Sequence, residues 1–392
     1  MIRFPLSFLF LPGIQKDPEF RAYKLHYMKI KEVIGFLENF APAAYQESYD
    51  NAGLLTGDPD WNCSGVLISL DTTEAIVREA VSRNCNLIVC HHPVIFSGLK
   101  KITGRNYVER TVISAIRNEI AIFATHTNLD NIKEGVSGKM ASRLGLVNGA
   151  PLLARPGTLR KISTFVPQDQ LELVRDAIFS AGAGQIGQYS ECSFSMEGSG
   201  TFRAGEAANP YVGRRGIRHS EKEIRLEAVL PAHLSEKVIA ALRKAHPYEE
   251  PAFDLVDLAN LHPGIGSGWI GELPESLDER EFLTRLKEAF HLELIRHTPL
   301  TGRPVKKVAL CGGAGSFLIS KALSAGSDFF ITADVKYHEF FDADGRLVVA
   351  DIGHFESEQF TIDLLFEILR EKFLNFAVLK SASTTNPVNY YF

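Results

Sequence analysis

Short apolar runs alternate with amphipathic segments at both ends of this chain, and that rhythm restricts the fold more than any other feature. Residues 65–71, 87–90 and 120–125 read as strands, with helices predicted over 73–83 and 107–118. The alternation returns near the C-terminus. There, strands are predicted at 307–311, 328–332 and 346–351, with a Gly-rich turn at 312–316, a helix to 325 and a long amphipathic helix over 357–373. Leu87, Ile88 and Val89 form a continuous apolar run, the pattern of a strand covered on both faces of a parallel sheet. Alternation of this kind implies such a sheet, with helices on its faces and right-handed crossovers. The expected class is α/β, one domain being formed by both chain ends, 28–155 and 263–392.

The middle of the chain has a different rhythm. Strands are predicted at 161–166, 223–229 and 252–256, helices at 169–182 and 234–244, and a loop rich in Gly, Ser and Asn over 182–216. The period-two alternation of 223–229 suits a half-buried strand. The expected order β-α-β-β-α-β describes a ferredoxin-like α+β module, inserted over 156–262 and left through the glycines at 263–268.

Composition excludes several functions. With 45% apolar and 23% charged residues, the 392-residue chain falls in the range of soluble globular proteins. A net charge of -5 argues against direct nucleic-acid binding, and no apolar run approaches a membrane span. Five cysteines without Cys-x-x-Cys spacing make neither a disulfide framework nor a thiolate zinc site, and fit reduced thiols in the cytoplasm. Apolar residues 5–12, after Arg3, are faintly similar to a signal peptide, but they contain two prolines and lack a small-x-small cleavage site. Met28, which opens a predicted helix over 28–38, reads as the working start, with 1–27 a loose extension.

Four strand ends carry ligand-type side chains. His91 and His92 follow Cys90, and Pro93 then turns the chain outward. His126 and Asp130 follow the strand at 120–125, the segment from Asp334 through Lys336 to His338 follows 328–332, and His354 to Glu358 follows 346–351. Open α/β sheets bind ligands where their strands end, and neutral imidazole is a common metal ligand. A helical turn beginning at His354 would put Glu358 on the same face and turn Glu356 elsewhere. Imidazole and carboxylate without thiolate suit zinc, iron(II) or manganese. A carboxylate such as Glu358 can bridge two ions, and an ion pair of that kind activates water for hydrolysis.

As a set, these segments resemble the NIF-three-like dinuclear-metal family, whose members are described as GTP cyclohydrolase I type 2 homologues. The resemblance rests on Ser48-Tyr49-Asp50-Asn51-Ala52-Gly53-Leu54, Cys90-His91-His92-Pro93, Thr125-His126-Thr127-Asn128-Leu129-Asp130, Cys311-Gly312-Gly313-Ala314-Gly315-Ser316, Asp334-Val335-Lys336-Tyr337-His338, and Gly353-His354 with Glu358. It implies two divalent ions per subunit held by His91, His92, Asp130, His354 and Glu358. It also implies a homohexameric toroid with the metal sites facing an inner cavity, and an insert similar to PII and CutA proteins. Ala333 departs from the glycine that the family pattern places before Asp334.

Other residues admit two readings. His126 suits either a hydrogen-bonding partner of a ligand or a buried strand-end histidine. Lys336 and His338 suit contact with an anionic substrate or proton relay, or else a solvated connection. The glycines at 312–315 could present amides to phosphate, but a tight strand-to-helix turn is the simpler use. His246, Glu249 and Glu250 have metal-ligand chemistry, although two flanking prolines favour a plain connector. Two functions follow: a metal-dependent hydrolase of a small molecule or nucleotide, or a non-catalytic metal-loaded scaffold or metabolite sensor acting through the insert.

Overall fold

A computed structural model describes residues 28–391, so the expectations for 1–27 lie outside the described residues. The two chain ends build two sheets rather than one, and each end lends elements to the other. The first sheet has the order Gly53–Thr56, Ala121–Ala124, Leu87–Cys90, Val66–Ser69, Val378–Lys380. All its pairs are parallel except the edge strand Gly53–Thr56. Ser69, Cys90 and Ala124 stand side by side in the register. The residues after them, through Asp71, His92 and His126, leave the sheet at one edge.

The second sheet runs Arg296–His297, Val348–Asp351, Phe329–Ala333, Val305–Ala314, Gly266–Leu277, Val147–Ala154. Its three central strands are parallel, with Thr332 beside Asp351. Asp334 and His354 emerge just beyond that line. The helix Thr361–Lys372 packs Leu364, Leu365 and Leu369 onto Val66, Ile68 and Val89 of the first sheet. The helix Val136–Leu144 packs Met140, Ala141 and Leu144 among Val308 and Leu310 of the second and Phe282 of the helix Glu279–Phe290. Each half thus buries an apolar face supplied by the other, which locks the two strand-end edges together.

The middle segment leaves and rejoins the second sheet at one point, since Ala154 pairs with Gly266. Between them lies a four-stranded antiparallel sheet of order Phe194–Arg203, Arg218–Pro231, Leu159–Pro167, Phe253–Asp257, with the helices Leu171–Ser180 and Ser235–Ala245 packed on its core. The strand Phe194–Arg203 occupies part of the predicted loop. Its Gly and Ser content and exposed position hide it from an apolar pattern. Elsewhere the helix predicted at 357–373 is broken into His354–Glu358 and Thr361–Lys372, and the glycines at 312–313 lie within a strand.

The C-terminal segment folds back along the first sheet. Glu79 accepts hydrogen bonds from the Ser381 hydroxyl, the Ala382 amide and Arg83. Burial acts to raise its pKa, but these bonds outweigh burial and hold the carboxyl at about 2. Because the folded value is depressed, the stabilisation is complete above the ordinary value of 4.5 and is lost as pH falls through about 2. Hydrogen-exchange protection at Ala382 should fall across that window in the wild type, and should already be low at neutral pH in Glu79→Gln.

Candidate metal centre

Four histidines from the two sheets converge, and each is anchored through Nδ1. His91 Nδ1 donates to the Thr125 carbonyl at 2.9 Å, and His92 Nδ1 meets Asp71 Oδ1 at 2.8 Å. His126 Nδ1 meets Asp50 Oδ1 at 2.8 Å, and His354 Nδ1 meets Asp334 Oδ2 at 2.7 Å. Fixing Nδ1 fixes the ring orientation, and a carboxylate or carbonyl in that position is the usual support for a metal-binding imidazole. The Nε2 atoms turn toward a shared centre. His92 Nε2 lies 3.2 Å from His354 Nε2, although 262 residues separate the two in sequence.

Glu358 stands at the middle. A helical turn does begin at His354, over His354–Glu358, so His354 Nε2 and Glu358 Oε2 face each other at 3.1 Å. Glu358 Oε2 is 2.9 Å from His92 Nε2, while Oε1 is 3.7 Å from His91 Nε2. Asp130 Oδ1 approaches His91 Nε2 at 3.6 Å. Two groups of ligand atoms emerge, each converging within 4.8 Å: His91, His92 and His126, and His92, His354 and Glu358.

Three buried atoms here have no hydrogen-bond partner: His91 Nε2, Asp130 Oδ1 and Glu358 Oε2. The His92 and His354 nitrogens that lie 2.9 and 3.1 Å from Glu358 Oε2 belong to rings whose Nδ1 is already held by Asp71 and Asp334. A buried polar atom without a partner costs stability. Three of them facing one centre, all of ligand type, would be satisfied together by a cation. The residues present therefore fit a divalent metal, and the donor set of imidazole and carboxylate suits zinc, iron or manganese. The centre also perturbs its own groups. Burial acts to lower the pKa of His92, but Asp71 and Glu358 raise it to about 10, and Glu358 raises His354 to about 9 against the same burial. Burial acts to raise Glu358, yet the surrounding imidazoles hold it well below the usual carboxylate range. Asp130 is raised, by burial first and then by Glu358.

The glycines at 312–313 serve close packing. A Cβ on Gly312 would stand 2.6 Å from Val136 Cγ1, and one on Gly313 would stand 2.4 Å from Glu358 Oε1. The Gly313 amide donates to Ser357 Oγ and the Gly315 amide to Thr332 Oγ1, so neither faces outward for a phosphate. Asp334 takes a left-handed backbone, φ 54°, which aspartate tolerates, while buried Ala333 closes the strand before it.

The other expected residues divide. His126 faces the centre, and its Nδ1 is held by Asp50. Burial acts to raise the Asp50 pKa, but its bonds to His126 and Thr127 hold it at about 2. Asp334 supports His354. Lys336 and His338 sit on the exposed 3-10 turn Tyr337–Ala343 and its cap, outside the cavity wall. His246 uses both ring nitrogens, Nε2 with the Phe165 carbonyl and Nδ1 with the Tyr248 amide, so it forms no metal group with Glu249 and Glu250.

Sequence reasoning missed the supports Asp50 and Asp71. Asp50 was visible in the motif at 48–54, and Asp71 as the polar residue ending an apolar strand. It also missed the C-terminal strap. The Thr385 hydroxyl donates to Asp71 Oδ2 at 2.6 Å, while Asn386 and Tyr390 bond Glu356. Thr385→Val should leave Asp71 free to turn and weaken metal binding about tenfold, with Thr385→Ser restoring it. Titration with a competing chromophoric chelator measures this.

The centre opens into a cavity of about 1110 Å³, walled by Tyr49, Phe96 and Phe317 among others. The family described as Duf34/NIF3 (NGG1p interacting factor 3) matches residues 28–387. The chain belongs to the NIF3 family. It is similar to a Halalkalibacterium halodurans protein named GTP cyclohydrolase 1 type 2 homolog, at 37% identity, with 91% of this chain and 98% of the relative covered. A Bacillus subtilis protein of the same name is 34% identical, with 92% and 98% covered. Among solved structures, a Bacillus cereus protein related to NIF3 superposes with a TM-score of 0.82 at 35% identity, covering 93% of this chain and 100% of that one. No described helix is long and apolar enough to cross a membrane.

Proposed function

We propose that this NIF3 protein binds two divalent metal ions and acts as a metal-dependent hydrolase of a small molecule. The observation that carries this reading is the set of three buried, unpartnered ligand atoms at the meeting of two sheets. His91, His92, Asp130, His354 and Glu358 would hold the ions, with Glu358 shared between them. Bound there, the ions would supply Lewis acidity and lower the pKa of water. His92 and His354 are kept rigid by Asp71 and Asp334. His126 presents its free Nε2 edge beside His91 and His92, where it would accept a proton from the attacking group. The Phe96 ring stands edge-on to that of His126 at 5.7 Å.

The substrate class is a phosphoryl, amide or ring C–N compound. Ring opening of a nucleotide is what the relatives' names suggest. We further propose that 156–262 is an inserted PII/CutA-like domain and that the subunits form a hexamer. Elemental analysis of protein purified without chelator should give about two equivalents of metal per chain. A screen of nucleotides, phosphoesters and cyclic amides should give metal-dependent turnover that His91→Ala with His354→Ala abolishes. Metal without turnover, together with ligand binding at 156–262, would support the scaffold or sensor reading instead.

A further inference from the structure

A second cavity, of about 1000 Å³, lies in the middle segment, far in sequence from the strand ends that build the metal centre. Its floor is the strand Phe194–Arg203, which is bare at Gly198 and Gly200. Glycine inside a strand often marks a close approach by another group, and a Cβ on Gly200 would stand 2.0 Å from Glu223 Oε2. Glu223 is only 8% exposed. Its Oε1 accepts the Tyr248 hydroxyl at 2.8 Å, Oε2 is left open to the cavity, and no Lys, Arg or His among the described residues pairs with it. A buried carboxylate without a counter-charge is costly.

The walls favour a cation. Five carboxylates line the cavity, those of Glu197, Glu206, Glu223, Glu249 and Glu250, against the guanidiniums of Arg203 and Arg225. Arg225 is engaged by Glu227 through Nη2 at 2.7 Å, while its buried Nε has no partner. Three rings form an arc beside Glu223: Tyr248 lies 6.3 Å from Phe202 and 6.1 Å from Tyr211, tilted by 54° and 48°. Aromatic faces, like carboxylates, attract ammonium groups. A bare metal ion fits less well, because among the described residues no three ligand-type groups converge here. The motif at 246–250 builds this wall. His246 takes the Tyr248 amide and so sets that ring, and Glu249 accepts the Asn209 amide and so fixes the loop carrying Tyr211.

We propose that this cavity is a binding site for a small organic amine, a di- or polyamine in its ammonium form, with one ammonium on Glu223 Oε2 against the Tyr248 ring. The volume matches a metabolite-sized ligand. The site is independent of the metal reading, so the two can fail separately.

Isothermal titration of the full chain with putrescine and with spermidine tests it, against sodium chloride of equal ionic strength and against glutarate. One saturable amine site per chain is expected, with no response to glutarate. Glu223→Gln, which keeps an acceptor for Tyr248, should weaken it at least about tenfold, as should the exposed-loop change Tyr211→Ala. The variant His91→Ala, His354→Ala should bind the amine as the wild type does. Absence of saturable binding below about 1 mM, equal affinity in Glu223→Gln, or equal response to glutarate would each overturn the proposal. So would dissociation of subunits by Glu223→Gln in sedimentation without any amine binding, which would assign the cation to a side chain of a second copy.

Discussion

Glu358→Gln protein is expected to bind divalent metal at least about 100-fold more weakly than the wild type, and to purify with little of it. Gln keeps the shape that packs on Gly312 and Gly313 but removes the one carboxylate that faces His91, His92 and His354 together. Loss of an orienting partner alone costs about 10–100-fold in metal affinity, and Glu358 is a proposed direct and shared ligand. Elemental analysis after dialysis against buffered metal measures the loss. A second readout is thermal. A ligand at 100 times its Kd stabilises the folded state by about 2.7 kcal/mol, so chelator should lower the melting temperature of the wild type and leave Glu358→Gln unchanged. Full metal occupancy in Glu358→Gln would refute the assignment of this residue, and with it the two-ion arrangement.

Gly313→Ala is expected to destabilise the protein by about 2–5 kcal/mol and to disturb the centre directly. Gly313 has φ 61°, where a side chain costs about 1–2 kcal/mol. Its Cβ would also fall 2.4 Å from Glu358 Oε1 and 3.3 Å from His354 Cε1. Overpacking of that kind adds about 1–3 kcal/mol. Gly326 isolates the first contribution: it has φ 70°, and a Cβ there would meet nothing within 4 Å. Gly326→Ala should lose only the backbone part and bind metal normally. Denaturant unfolding and metal titration of both variants separate the two effects. Equal losses of stability, with metal affinity intact in both, would show that Glu358 does not depend on the bare strand at 312–313.

Much of the framework was legible because local rules generate it. The parallel strands Val66–Ser69, Leu87–Cys90 and Ala121–Ala124 are short, buried throughout and followed within two residues by a polar side chain, so both their existence and their shared exit were readable. The pair His354 and Glu358 was readable for a similar reason, since i and i+4 on a helix face the same way whatever surrounds them. Strands with weak patterns were lost: Gly53–Thr56 is half-buried throughout, and Phe194–Arg203 is a mostly exposed, Gly-rich edge. Asp50 and Asp71 were visible as residues, but which side chain each supports was not, and Thr385 left no local trace, because their partners lie 21 to 314 residues away.

Sequence by itself determined the chemistry available: imidazoles and carboxylates placed after apolar strands, with no competing thiolate cluster and no excess of basic residues. Residue types and short-range periodicity are properties of the chain, so they survive without a fold. Only the tertiary structure decided that these groups meet, which Nδ1 atom each support holds, and which atoms remain unpartnered. Those facts depend on two sheets exchanging helices and a strand, so that His92 and His354 stand in contact, and long-range packing of that kind is written in no single segment.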